Sequence, residues 1–512
     1  MSKAITHFVR RTTLSLLGAT LLLASFNGPT FAQTVPSANL QQLTFIGIPN
    51  WITSAAVGPT ANVASYDMPA FNRVTGVMYL ADRPNHGATA IDAKTLTYLG
   101  TVVPPGCATD ATCSPSGVLV VPDLQKLIIT TRNPNIFIYD LRAPGQSPVI
   151  LNLPGAASDE LDYDPLNQRV YIGSTVSPFG LIVLDAAKNT ILGKIPFADS
   201  VEQPRFNPND GLIYANSPTS VGQLLVEVDP QQGPFGAIIN GLPLPAGCAN
   251  AVDIDPVSNT AILGCAGPPN VEAIIDLKTG AILGTFPLGS ADIGFFDPHN
   301  RRWYVGTRNP GATNVNCPVD STGMFPALAV FSNSPTAAQL AGVACTGRGA
   351  RVAGVDPILN NIYVPVLQYP PDPNSADTGR PGVLVFHDPA ATFTGTPAGT
   401  QEGRTQAVLT AVGGSGVTGT IDMSLRRRNM DVEASLNGLP AGSTTVRLAI
   451  TTSVGNEVIP CGVDATGKGF CAGDLAGDPM IGGVVGVGSA GIRVASGPIT
   501  LTSSFPSFIP LD

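Results

Sequence analysis

Seven polar residues stand at one recurring position along the chain, five residues before the first residue of a repeated turn. They are Asp67, Ser116, Asp159, Glu202, Asn250, Asp292 and Arg351. Carboxylate, amide and hydroxyl oxygens are the ligands that hard cations such as Ca²⁺ prefer. The pattern therefore predicts a Ca²⁺-like metal site formed by Asp67, Asp159, Glu202, Asn250 and Asp292, with Arg351 as a counter-charge.

The same pattern has a structural interpretation. Asp, Ser and Asn at the start of a strand often bond a nearby loop amide or face water in a channel, and neither role needs a ligand. Because the spacing alone does not separate the two interpretations, both stay open at the level of sequence.

A second polar set lies in the predicted connections between the second and third strands of the repeat. Arg83, Arg132 and Arg308 each precede a Pro or Asn in these connections. Together with Arg351 they predict a binding site for an acidic ligand, since guanidinium groups pair well with carboxylates and phosphates. His86, in the first connection, is the predicted general acid or base. Pro and Asn are also ordinary turn residues, which is the structural alternative.

The repeat that positions these residues is an apolar strand, a turn of the type Asp-Pro-x-x-Asn, and a second strand ending near a Tyr. Clear copies begin at Asp164, Asp255, Asp297 and Asp356, and degenerate copies begin at Asn72, Val121 and Asn207. The copies are about 45 residues apart, the size of a four-stranded propeller blade. A third strand that tends to end in Asp and a fourth strand of the type Ile-Leu-Gly complete each unit. The sequence therefore predicts an all-β, seven-bladed β-propeller over residues 33–389.

The two ends of the array predict how the ring closes. Residues 44–49, Thr-Phe-Ile-Gly-Ile-Pro, read as a fourth strand that appears before any first strand. The last unit, which ends at Asp388, has a third strand but no matching fourth. An N-terminal strand that completes the last blade explains both observations and removes the exposed sheet edges of an open ring.

These turns, strand-end Asp residues and fourth strands resemble the YVTN-type seven-bladed β-propeller repeat proteins that bacteria export. The resemblance covers about residues 44–388, and it departs from the YVTN tetrad itself, with Val170-Tyr171-Ile172-Gly173 in its place. It implies a propeller fold and leaves two functions open, because such families include binding proteins and a few enzymes. The first is a binding or interaction protein with its ligand on the loop face. The alternative is a metal-dependent, lactonase-like hydrolase or lyase at the channel mouth.

Composition changes after the array. Residues 390–404 are rich in Ala, Thr, Gly and Pro, which predicts a linker. Residues 405–512 contain alternating segments, with a predicted hairpin whose tip is Arg426-Arg427-Arg428-Asn429. A small β-sandwich-like domain is expected there. The three arginines are interpreted as a solvated turn, with anion binding as the alternative.

The N-terminus and the cysteines indicate export. Lys3, Arg10 and Arg11 precede an apolar run, and Thr30-Phe31-Ala32 offers a cleavage site, so residues 1–32 are predicted to be a signal peptide. The apolar run is too short for a membrane span, and a retained anchor is the alternative. Eight cysteines fall into four neighbouring pairs: Cys107 with Cys113, Cys248 with Cys265, Cys317 with Cys345, and Cys461 with Cys471. This pattern favours structural disulfides over zinc and a periplasmic or secreted location.

Charge and motifs exclude several function classes. The formal net charge of −9 makes nucleic acid a poor partner, because an acidic surface repels the phosphate backbone. The sequence contains no Cys-x-x-Cys-His, His-Glu-x-x-His, Gly-x-Ser-x-Gly or P-loop motif. An unidentified small molecule or protein therefore remains as the expected partner.

Overall fold

The structure is a computed structural model of the 512-residue chain. It describes residues 37–49, 66–72, 75–108, 113–121, 124–153, 157–164, 167–207, 210–217, 224–244, 247–248, 250–256, 258–265, 271–289, 291–297, 301–309, 315–334, 337–356, 359–371, 373–374, 379–389, 403–410, 417–426, 429–439, 446–452, 455–463, 467–476, 485–489 and 492–497. Every named element in these ranges is a strand. Across the described ranges there is no helix with the length and apolarity of a membrane span. The predicted signal peptide lies outside the described residues.

Seven antiparallel four-stranded sheets form the blades of a propeller, which confirms the predicted fold class. One strand, β1 (Gln41–Gly47), precedes the first complete blade. Blade 1 contains β2 (Tyr66–Asn72), β3 (Val77–Asp82), β4 (Gly87–Asp92) and β5 (Thr97–Val102). Blade 2 contains β6 (Pro115–Val121), β7 (Lys126–Thr131), β8 (Asn135–Asp140) and β9 (Val149–Asn152). Blade 3 contains β10 (Ser158–Asp164), β11 (Arg169–Ser174), β12 (Gly180–Asp185) and β13 (Thr190–Pro196).

The remaining blades follow the same order. Blade 4 contains β14 (Pro204–Asn207), β15 (Leu212–Ser217), β16 (Leu224–Asp229) and β17 (Ala237–Pro243). Blade 5 contains β18 (Ala251–Asp255), β19 (Thr260–Gly264), β20 (Glu272–Asp276) and β21 (Ile282–Phe286). Blade 6 contains β22 (Gly294–Asp297), β23 (Arg302–Thr307), β24 (Ala327–Ser334) and β25 (Ala337–Cys345). Blade 7 contains β26 (Gly354–Asp356), β27 (Asn361–Tyr369) and β28 (Arg380–His387) together with β1.

The N-terminal strand closes the ring as the sequence predicts. Strand β1 pairs antiparallel with β28, from Gln41 opposite His387 to Gly47 opposite Gly382. Closure removes the free edge that blade 7 would otherwise expose. Just before β1, the amide of Ala38 donates to the carbonyl of Val343 in blade 6 at 2.7 Å. The first part of the chain therefore contacts two blades.

The recurring turn is explained by side-chain capping. In blade 3 the carboxylate of Asp164 accepts from the amide of Asn167 at 3.3 Å and from its side-chain Nδ2 at 2.6 Å. The fifth turn residue adopts the left-handed conformation in all seven copies: Gly76, Gln125, Gln168, Gly211, Asn259, Arg301 and Asn360. Glycine at two of these positions avoids the steric cost of that conformation. The seven-fold count thus rests on backbone geometry as well as on sequence.

The Tyr that follows the turn ties neighbouring blades together. Three of these residues, Tyr171, Tyr304 and Tyr363, are fully buried. The hydroxyl of Tyr304 donates to Asp388 of blade 7 at 2.5 Å, and the hydroxyl of Tyr363 donates to the carbonyl of Ala93 in blade 1 at 3.5 Å. A buried Tyr needs such a partner for its hydroxyl. The motif Tyr therefore belongs to the fold and not to a binding site.

The four predicted cysteine pairs are disulfides: Cys107–Cys113, Cys248–Cys265, Cys317–Cys345 and Cys461–Cys471. No free cysteine is present among the described residues. Disulfides of this kind are typical of proteins in oxidising compartments.

The C-terminal residues form one antiparallel sheet of eight strands. They are β29 (Gly403–Thr410), β30 (Thr418–Arg426), β31 (Asn429–Asn437), β32 (Val446–Thr452), β33 (Gly455–Val463), β34 (Gly469–Ala476), β35 (Val485–Ser489) and β36 (Ile492–Gly497). The predicted hairpin is confirmed, with Arg426 opposite Asn429. Ile421, Ala434, Cys471 and Cys461 lie opposite one another in register and are buried. The described strands form one sheet, so the sandwich-like packing of this region stays a prediction. Strand β29 begins inside the segment predicted as a linker, and residues 390–402 lie outside the described ranges.

Candidate functional site

The predicted polar ring lies at the start of the innermost strands, at one mouth of the central channel. Asp67 and Ser116 are buried, and Asp159, Glu202, Asn250, Asp292 and Arg351 are half-buried. The connections between second and third strands open on the same face, because strands alternate in direction within each blade. Arginines from these connections can therefore reach the ring.

Arg83 reaches the ring from the β3–β4 connection. Its guanidinium is 3% exposed and forms an ion pair with Asp67, while its Nε donates to the carbonyl of Pro115 in blade 2 at 3.2 Å. Burial lowers the pKa of Arg83 to about 9, and the positive charges of Arg351 and Arg132 add to the effect. These three arginines come from blades 1, 2 and 7, so the mouth brings together side chains that are distant in sequence.

Arg351 is paired with a carboxylate of the neighbouring blade. Its guanidinium contacts Asp292 of blade 6, and its backbone carbonyl accepts from the amide of Asp292 at 3.0 Å. Burial lowers the pKa of Arg351, against the opposing effect of Glu160, Asp159 and Glu202. Arg351, the predicted counter-charge, therefore lies among these acids and is paired with one of them, Asp292.

Three carboxylates meet at the centre of the ring. One oxygen each from Asp67, Glu160 and Asp292 lies within 4.8 Å of the others. The three residues belong to blades 1, 3 and 6, and blades so far apart around a ring can meet only near its axis. Two of the five predicted metal ligands are therefore brought together, and the third member of the group is Glu160.

Glu160 is the residue that the sequence interpretation missed. Counting back from the turn selects Asp159, but β10 pairs with β11 with a register shift between Ser158 and Leu161. Blade 1 has the same kind of shift between Tyr66 and Pro69, and there the counted residue, Asp67, joins the group, so the shift alone does not select Glu160. The available signal was the consecutive pair Asp159-Glu160, which places a carboxylate on either side of the strand whatever the register.

The electrostatics of this group are dominated by burial. Glu160 is 3% exposed and its Oε2 has no hydrogen-bond partner. Burial raises the pKa of Glu160 well above its usual range, and the charge of Asp159 raises it further. Burial and Asp159 raise the pKa of Glu202 to about 7, although Arg351, Arg83 and Arg132 act in the opposite direction.

We refer to the converging set as the mouth cluster. It consists of Asp67, Asp159, Glu160, Glu202, Asp292, Arg83, Arg132 and Arg351. Its members come from six of the seven blades. Ionised throughout, five carboxylates and three guanidinium groups carry a formal charge of −2.

The other predicted site residues have described contacts of their own. Arg308 is half-buried, its pKa is lowered by burial, and the carboxylate that acts on it is Asp320 of its own loop. His86 is 4% exposed in the β3–β4 turn, where its amide donates to the carbonyl of Arg83 at 3.2 Å. The backbone amide of Asn250 donates to the carbonyl of Gly264 in its own blade at 3.2 Å. Their predicted ligand and catalytic roles stay predictions.

Deeper in the channel, charged residues serve the fold. Asp253 pairs with Arg205 at 3.1 Å and also accepts from the amide of Phe296 in the next blade. Asp162 accepts from the amide of Phe206 in the next blade at 2.7 Å. These carboxylates link the innermost strands of neighbouring blades, in the manner of the structural alternative. The mouth acids Asp67, Glu160 and Asp292 differ because their side chains converge on one another.

Comparisons with known proteins add little to this description. A search of known protein families finds no match, and no curated protein matches the chain either. Among solved structures, a chain of one titled "Crystal Structure of Mitotic Checkpoint Complex" is 14% identical over 69% of this chain and 96% of its own, with a TM-score of 0.49. A likeness at this level carries no functional argument. The assignment as a seven-bladed β-propeller accordingly rests on the seven four-stranded sheets and on the pairing of β1 with β28, which closes the ring.

Proposed function

We propose that this protein is an exported β-propeller that binds a ligand at the mouth of its central channel. The observation that carries the proposal is the convergence of the mouth cluster, in which charged side chains from six blades lie near one axis. Buried charges are costly to a folded protein unless they are fully paired. Groups with strongly shifted pKa values in a concave site are typical of functional sites.

Contacts outside this cluster also hold the blades together. Neighbouring blades are joined by apolar packing, by the motif Tyr residues and by hydrogen bonds deeper in the channel, such as the one that Asp253 accepts from the amide of Phe296. Within the cluster, Arg351 with Asp292 and Arg83 with the carbonyl of Pro115 do join neighbouring blades. A buried carboxylate such as Glu160, whose Oε2 makes no hydrogen bond, adds cost and is better explained by binding than by stability. The predicted signal peptide and the four disulfides support an oxidising, exported location.

The mouth offers both signs of charge. Arg132 is exposed, and half-buried Glu202 lies in its electrostatic field. A ligand with hydroxyl, carboxyl or amine groups can therefore find donors and acceptors within one site. The ligand is a small polar molecule, or a loop of a partner narrow enough to enter the channel.

The test is a thermal-shift screen of the purified, exported chain against hydroxy acids, sugars, amino acids and polyamines. We expect at least one class to raise the melting temperature, and we expect Arg132→Gln and Glu202→Gln to abolish the shift. Arg142→Gln is the matched control, because Arg142 pairs with Asp140 on an exposed turn of blade 2. Hits that bind equally well to the mouth variants and to the control would contradict the proposal.

The metal-dependent hydrolase or lyase stays a prediction. It needs a bound cation that polarises a carbonyl and a nearby carboxylate that moves a proton. Glu202 is half-buried and its pKa is raised to about 7, so it is the acid of the cluster that best fits the second role. Hydrolysis of simple lactones by the wild type, lost in Glu202→Gln, would favour it over a binding protein, and absence of turnover with every ligand found in the screen would argue against it.

A further inference from the structure

The centre of the mouth cluster has the dimensions of a coordination sphere. Ca²⁺ binds oxygen atoms at about 2.3–2.6 Å, so two ligands on opposite sides of the ion are about 5 Å apart. The oxygens of Asp67, Glu160 and Asp292 lie within 4.8 Å of one another. One ion placed among them can contact all three.

Two oxygens of this group have no partner. Oε2 of Glu160 and Oδ1 of Asp67 are buried and make no hydrogen bond. The other oxygen of Asp67, Oδ2, is held by Arg83. Buried carboxylate oxygens without a partner are rare in folded proteins, because their desolvation is not repaid. A cation would supply the missing partner to both.

The charge of the surroundings fits a divalent ion. With every group ionised, as carboxylates are when they bind a cation, the mouth cluster has a formal charge of −2. Arg83 and Arg351 hold two of the three carboxylates in place. One divalent cation neutralises the whole cluster. The three candidate ligands are all carboxylate oxygens, with no imidazole or thiolate in the group, which favours Ca²⁺ over Zn²⁺.

We propose that Asp67, Glu160 and Asp292 form a binding site for one Ca²⁺ ion on the channel axis. The inference deepens the proposed function, because the ion would lie at the mouth where the ligand binds. Water and the polar groups of that ligand would complete the six to eight oxygens that Ca²⁺ requires.

The test is calorimetric titration of CaCl₂ into the full exported chain after dialysis against EDTA. We expect one Ca²⁺ per chain, and we expect Glu160→Gln to weaken binding more than roughly tenfold, since it removes a direct ligand. Asp67→Asn and Asp292→Asn should act in the same direction. Asp140→Asn is the matched control, because this carboxylate caps an exposed turn on the opposite face.

Two further measurements keep the outcome independent of misfolding. Arg132→Gln removes a nearby exposed positive charge and should tighten Ca²⁺ binding by a few-fold, an effect that a purely structural cluster would not show. In EDTA, Glu160→Gln should melt at a higher temperature than the wild type, whereas saturating Ca²⁺ should reverse that order. The two melting orders are expected because the buried carboxylate of Glu160 lowers stability without the ion and raises it when it binds the ion.

The proposal is overturned if the wild type binds no Ca²⁺ at millimolar concentration, or if Glu160→Gln binds it as tightly as the wild type. Neither result would contradict the proposed function as long as the organic ligands of the screen still depend on Arg132 and Glu202. Conversely, Ca²⁺ binding with no ligand dependent on those residues would support a metal site and refute the wider binding role.

Discussion

Two rings of polar residues run around this propeller, one at the turns and one at the mouth, and they differ in how their acids are paired. At the turns, Asp164 and Asp255 are fully buried, and each bonds amide and side-chain donors of its own turn. At the mouth, Glu160 and Asp67 are equally buried, but each leaves an oxygen without a hydrogen-bond partner.

In this repeat protein, residues required for folding and residues available for binding differ in how constant they are from copy to copy. The turn position is Asp or Asn in six of seven copies, because the same cap is required each time. The mouth position varies among acid, amide, hydroxyl and arginine, as expected if different blades contribute different parts of one asymmetric site. A fixed position with changing chemistry is therefore the better indicator of function.

The largest expected effect is at the turns. Asp255 accepts from the amide and hydroxyl of Ser258 and pairs with Arg301 of blade 6 at 2.8 Å. Asp255→Ala should lower the free energy of unfolding by about 4 kcal/mol, because it breaks a buried ion pair and a cap together. Urea unfolding followed by circular dichroism measures it. Asp255→Asn, which keeps the cap, should lose less; a loss below about 1 kcal/mol in the Ala variant would remove the distinction between the two rings.

A second expected effect is a pH dependence that arises in the deeper channel. Burial raises the pKa of Asp253 to about 6, despite the opposing charge of Arg205. Between about pH 4 and pH 6 the folded protein holds this proton and the unfolded chain releases it, so stability falls as pH rises through that window. The loss is complete above pH 6 and amounts to at most about 3 kcal/mol.

The variant Asp253→Asn isolates this contribution. It should flatten the dependence of the melting temperature on pH between 4 and 6, while other buried acids keep part of the slope. The slope, and not the absolute stability, is the quantity to compare, because the variant also weakens the pair with Arg205. An unchanged slope would show that Asp253 is ionised in the folded protein throughout this range.

A smaller effect of opposite sign is expected at the mouth. Glu160→Gln should raise the free energy of unfolding by about 1 kcal/mol at neutral pH in EDTA, because a neutral amide is less costly to bury than a carboxylate. Chemical denaturation of the two proteins side by side measures it. A clear destabilisation would mean that Glu160 is a structural residue like Asp255, and the contrast between the rings would fail.

The smallest effect is expected on exposed turns. Asp140 pairs with Arg142, and both side chains are largely exposed to solvent. Exposed pairs contribute little because water and salt screen them. Asp140→Asn should therefore leave the melting temperature unchanged within the error of the measurement, and a large shift would indicate that this turn is buried by a partner.

Most of the fold could be predicted from sequence because its signals are short-range. A capping Asp, a left-handed fifth turn residue and a motif Tyr lie within a few residues of one another in the sequence, as Asp164, Gln168 and Tyr171 do. The closing strand was also predictable, since residues 44–49 had the pattern of a fourth strand without a blade.

The site could be predicted only in part because it depends on local register and side-chain direction. Asp67 and Asp292 were identified, but in blade 3 the group contains Glu160 and not the neighbouring Asp159. Arg308 has the same place in its repeat as Arg83, yet an acid in its own long loop, Asp320, acts on it. Neither the direction of a side chain at the start of a strand nor the partner of a long side chain can be read from spacing.

Closure by the first strand has a consequence for biosynthesis. Because Gln41 pairs with His387, the earliest blade strand to be synthesised has no partner until nearly the whole ring exists. At ordinary rates of translation that delay is roughly 20–70 s. During this interval the nascent chain presents two unsatisfied sheet edges, a hazard for self-association that escort by chaperones would relieve. The ring is therefore complete only when β1, the first strand, pairs with β28, the last strand of the ring.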